Sequence, residues 1–169
     1  MTTLKLSKGQ YDQALIDHFE FLRKRFLNRC FSSPALQIGT TSKKAVRINA
    51  TTVFIKDGVF KSKSAAEPTF TATTHDIAAS STNVREAVYL LTIDGSGNVT
   101  FTKGEEATGA GNAKLPELPS DSAVVLGHVR VAVAAGSTKF DATSDDLDAA
   151  HLTVTYVSGD VMPSFESEQ

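Results

Sequence analysis

Between residues 85 and 157 the chain breaks into short apolar runs separated by clusters of glycine, asparagine and aspartate, a pattern that antiparallel strands satisfy and helices do not. Residues 85–93 (REAVYLLTI) read as the best strand of the chain, with β-branched, aromatic and leucine side chains from Val88 to Ile93. Asp94, Gly95, Ser96, Gly97 and Asn98 then predict a turn, and Val99 to Thr102 return antiparallel. Two further strands are expected over residues 122–126 and 128–134, broken at Gly127. The last alternates strictly, with Leu152, Val154 and Tyr156 on one face and Thr153, Thr155 and Val157 on the other.

Upstream, Val53, Phe54 and Ile55 precede Asp57-Gly58, and Val59 and Phe60 follow. That dipeptide between two β-branched runs predicts a hairpin, because both turn positions tolerate positive φ. Residues 45–49 alternate, residues 62–68 are small and polar, and residues 69–79 have strand composition around Phe70 and Ile77. Residues 104–120 are small, charged and proline-bearing, which suits an exposed connection. About eight short strands therefore predict a mainly β fold, an antiparallel β-sandwich or barrel with one N-terminal α-helix.

That helix is expected over residues 7–31. Ser7 and Gln10 have capping-box spacing, and the proline at position 34 stops the helix after Ser32 and Ser33. Tyr11, Leu15, Phe19, Leu22 and Phe26 recur at helical spacing as one apolar stripe, which Ala14, Ile16, Leu27 and Cys30 broaden. Either the stripe packs on its own domain, or copies of it associate about a symmetry axis or in a partner's groove. The expected organisation is a helical association or docking segment over 1–34, a β body over 35–160 and an acidic mobile tail over 161–169.

Charge is unevenly placed. Residues 1–50 hold nine basic and three acidic residues, and the remainder eight basic and sixteen acidic. Arg23, Lys24, Arg25, Arg29, Lys43, Lys44 and Arg47 make the basic end a candidate docking surface for an acidic partner; a solvated face with no partner is the alternative. No stacking aromatics interleave with these cations, and the acidic body would repel a phosphate backbone, so nucleic acid is not the expected partner. No apolar run is long enough to cross a membrane as a helix, and the first ten residues lack the apolar centre of a secretory signal. Synthesis in a cytoplasm is therefore expected.

Little in the chain invites chemistry. His18, His75, His128 and His151 are the available bases, and none sits in a nucleophile motif. Asp141, Asp145, Asp146 and Asp148 cluster, yet EF-hand spacing is missing, and capping of backbone groups in a turn accounts for them. Cys30 is the only cysteine and reads as a small buried hydrophobe. A non-enzymatic protein without cofactor or metal is expected.

The segments AVRINATTVFIKDGVF, EAVYLLTIDGSGNVTFTKGEEA, LPELPSDSAVVLGHVRVAV and KFDATSDDLDAAHLTVTYVSGD together resemble a β module of tailed-phage virion structural proteins. The likeness covers about residues 45–160 and leaves the helix outside it. It implies a virion component: a capsid decoration (cement) protein, or a tail, baseplate or fibre adaptor. Because the chain is short and capsid lattices offer local threefold sites, the leading expectation is a homotrimer on the major capsid protein. It would be made in the host cytoplasm and carried on the capsid surface. The resemblance assigns no catalytic residue.

Overall fold

The computed structural model describes residues 8–70, 73–120 and 123–159. Ser7, the tail from residue 160 and the side chains of Tyr11 and Arg25 lie outside the described residues. Helix α1 spans Lys8–Leu27. Ten strands follow: β1 Arg29–Cys30, β2 Gln37–Ile38, β3 Val46–Arg47, β4 Thr52–Lys56, β5 Val59–Lys63, β6 Arg85–Ile93, β7 Val99–Lys103, β8 Ala107–Thr108, β9 Val124–Val133 and β10 Leu152–Ser158.

All pairings are antiparallel. The main sheet runs β10-β9-β6-β7, with β8 on the start of β6; a second sheet runs β1-β4-β5, and β2 pairs with β3. The result is an open sandwich with one N-terminal helix, not a closed barrel. β6 forms where its composition predicts a strand, is buried from Glu86 to Ile93, and contributes Tyr89, Leu91 and Ile93 to the core. Phe54 and Ile48 enter that core from the opposite layer, with Phe140 from a loop. Phe70 lies against Tyr89, Phe101, Phe140 and His75, with centroids 4.5–5.9 Å apart, and Tyr89 Oη donates to the His75 carbonyl at 2.5 Å.

Asp57 and Gly58 take φ of 52° and 79°, and Lys56 faces Val59, as a two-residue hairpin turn requires. Residues 94–98 turn on the Asp94 carboxylate, which accepts from the amides of Ser96 and Asn98.

Three expectations are corrected. The helix ends at Leu27 instead of residue 31, because Asn28 diverts the chain. Its Nδ2 donates to the Lys24 carbonyl at 2.8 Å, and its Oδ1 accepts from Lys56 Nζ at 3.0 Å and the Asp57 amide at 2.9 Å. Arg29 and Cys30 then pair with Ile55 and Phe54, so the body begins before residue 35. Gly127 does not break a strand: β9 is continuous and bulges there, where Leu91 faces Gly127 but Thr92 faces Val125. Residues 69–79 form no regular strand. Thr69 and Ile77 make isolated bridges to Ala45 and Phe140, and Thr73–His75 is a 3-10 turn.

Candidate functional site

An apolar helix face is stable when covered, and α1 does not supply its stripe to the core. Leu15, Ile16, Phe19 and Phe26 are 43–62% exposed, and Leu22 is half-buried. Of the two alternatives for the stripe, packing on its own domain is therefore not what the described residues do. At its base the stem is tied to the body, where the Leu27 carbonyl accepts from the Gly58 amide at 3.1 Å and Asn28 makes the bonds described above.

The sheet into which the stem feeds is also apolar on its outer face. Arg29 and Phe31 lie on that face with Val53 and Phe60; Phe31 is 46% and Phe60 67% exposed, their rings 5.6 Å apart. The Arg29 guanidinium stacks 4.4 Å from the Phe31 ring. Nothing in the sequence marks Phe31 and Phe60 as surface residues. Their face is set by the pairing of β1 with β4, which no local pattern announces.

The basic candidates divide. Arg23 is exposed on the stem, Lys24 is half-buried beside it, and Arg25 bears a side chain outside the description. Lys43 instead bonds Asp148 at 2.5 Å, which raises its pKa, and Lys44 reaches the Thr143 carbonyl at 3.4 Å. Arg47 donates to Thr40 Oγ1 and lies 3.8 Å from Glu67. These three tie loops of the body together.

Glu67 lies in a shallow crevice with Thr40, Thr41, Ser42 and Arg47, where its carboxylate accepts from three successive backbone amides. Those bonds, led by Thr40, hold its pKa down to about 2. The crevice is thus an anion cradle filled by the chain's own carboxylate. The aspartates after Phe140 behave alike: Asp141 caps the Thr143 and Ser144 amides, and Asp145 accepts from the Asp141 amide. No group of three or more metal-ligating side chains is positioned to hold a cation among the described residues.

The histidines are scattered. His18 is exposed on the stem, and His75 is buried with Nε2 3.2 Å from the Phe101 carbonyl. His151 Nε2 stands 3.6 Å from Asp145. His128 is half-buried on β9, and burial, then the nearby Arg130, lower its pKa.

These shifts give acid sensitivity in two steps. A histidine with depressed folded pKa takes its proton more readily when unfolded, so His128 withdraws stability as pH falls through 6.5. Glu67 contributes stability above its ordinary value of 4.5 and loses it as pH falls toward 2, and Asp94 and Asp141, also depressed, act in the same direction. Thermal melts against pH should show both limbs. His128→Gln should flatten the upper one and Glu67→Gln part of the lower; an unchanged profile in both variants would refute the assignment.

Family models, curated proteins and solved structures contain no match to this chain.

Proposed function

We propose that the protein is a capsid decoration (cement) protein of a tailed phage, acting by contact alone. The observation that carries the reading is a helical stem with an uncovered apolar stripe, mounted on a β body whose core is complete without it. Covering one large apolar side chain contributes about 1.5–3 kcal/mol. A stripe of four or five such residues therefore suffices for a docking element repeated over a lattice. In this reading Leu15, Phe19, Leu22 and Phe26, with Tyr11 before them, associate about a threefold axis and seat the trimer on the major capsid protein. Arg23, Lys24, Arg25 and Arg29 steer it toward an acidic surface. The body bridges neighbouring capsomers and opposes the pressure of packaged DNA.

The test is a Phe19→Asp, Phe26→Asp double variant. Both side chains are at least 60% exposed, so the melting temperature of the body should hold within the range of neutral surface changes, about ±0.5 kcal/mol. Sedimentation with purified phage heads should fall at least roughly tenfold, the loss of one buried apolar anchor. Undiminished head binding would overturn the reading, and binding to tails but not heads would replace it with a tail or baseplate adaptor.

A further inference from the structure

The main sheet ends on one side in β10, which no other described strand covers. Ala134 N donates to the His151 carbonyl at 2.9 Å, and Gly159 N to the Leu126 carbonyl at 3.1 Å. With the register of β10 on β9, these bonds turn the odd-numbered residues toward β9. The N–H and C=O groups of Val154 and Tyr156 therefore point away from the sheet. Among the described residues nothing pairs with them.

Two other sheet edges are protected. On β7 the outward carbonyl of Phe101 is met by His75 Nε2, and Lys103 Nζ bonds the Asp76 carbonyl across the same edge. β5 is five residues long and carries Lys61 and Lys63, side chains that discourage strand addition. β10 is seven residues (LTVTYVS) with no charge, proline or bulge. Such an edge is a template for another strand.

We propose that β10 pairs antiparallel with β10 of a second copy of this chain, about a twofold axis passing between the two Thr155 residues. The strand is complementary to itself in that register. Val154 and the partner's Tyr156 exchange both backbone bonds, and their side chains meet on the core face, where Leu152, Val154 and Tyr156 are only partly covered in one copy. On the opposite face Thr155 meets the partner's Thr155, and Thr153 meets the partner's Val157; all three are exposed. No like charges are opposed, because the strand has none. The contact uses neither the stem nor its stripe, so it does not rest on the capsid reading, and it would join stem-associated oligomers to one another.

Register makes the proposal testable with the full-length chain. Thr155 lies at a non-hydrogen-bonded pair, where Cα atoms approach to about 4.5 Å, within disulfide range. Thr155→Cys should form a reducible dimer under mild oxidation, at least about tenfold faster than Thr153→Cys, whose opposite residue is the partner's Val157. Mixing Thr153→Cys with Val157→Cys should restore cross-linking. Thr155→Lys and Thr155→Glu should each weaken this association by roughly tenfold or more, and their equimolar mixture should recover it. Thr155→Cys cross-linking no faster than Thr153→Cys, or no recovery on mixing the charged variants, would overturn the pairing. Neither result bears on head binding through the stem.

Discussion

Gly127→Ala should cost at least about 3 kcal/mol, a large part of the 5–15 kcal/mol that holds an ordinary domain folded. Two causes combine. The residue has φ of +147°, a conformation that side chains rarely adopt, and an added Cβ would lie 2.2 Å from the Val157 carbonyl oxygen and 2.8 Å from Leu36 Cδ1. The first obstacle is backbone of β10 and cannot rotate away. The bulge in β9 and the seating of β10 therefore depend on this one missing methyl group. Gly111→Ala separates the causes: Gly111 also has positive φ, +82°, but nothing lies within 4 Å of its Cβ position. It should lose only about 1–2 kcal/mol. Urea denaturation of the three proteins checks the pair, and equal losses at both glycines would refute the steric account.

Arg130→Met should be comparably severe, at about 3–5 kcal/mol. Glu86 is 2% exposed, and one of its carboxylate oxygens accepts from Arg130 Nη1 at 2.8 Å and from the Ala113 amide at 3.1 Å. Methionine keeps much of the arginine's packing but leaves a buried carboxylate without its counter-charge. Adding Glu86→Gln should recover part of the loss, since a neutral amide is far cheaper to bury and still offers Ala113 an acceptor. Denaturation of the two single variants and the double closes the cycle. If the double variant is less stable than Arg130→Met, the buried charge is not the cause. The same bond anchors residues 104–120, whose composition suggests only an exposed connection. Ala113 is buried and pinned to β6.

Where the information is local, the chain is readable. β6 announces itself by composition, the β4–β5 hairpin by Asp57-Gly58, and β10 by alternation whose inward set packs on the core as expected. Where a residue's meaning is set by a distant neighbour, the reading fails in a consistent way. Gly127 looks like a strand break because its partner in the close approach, Val157, is thirty residues away. Cys30 continues the helical period, yet pairing with Phe54 draws it into a strand. Phe70 and Ile77 have strand composition because they are core residues, not because their backbone is extended in a sheet.

The candidate site divides along the same line. The stripe on α1 is legible from spacing, and its exposure is not, since exposure depends on what the rest of the chain leaves uncovered. Lys43, Lys44 and Arg47 count as basic residues in any tally of charge. Only the folded chain brings Asp148 to Lys43 across an interval of 105 positions, or Glu67 to Arg47. The open edge of β10 has no local signature either, because every strand looks alike until its neighbours are known.

Asn28 belongs at once to the end of the stem and to the turn of the hairpin. The root of the stem is consequently tied to that turn, which sets the bearing of the helix. Substitutions along the stripe alter how hard the stem grips while leaving its aim alone; substitutions at 28 or 57 re-aim it without touching the gripping surface. Strength and direction of attachment are thus separate adjustments, open to drift or selection one at a time.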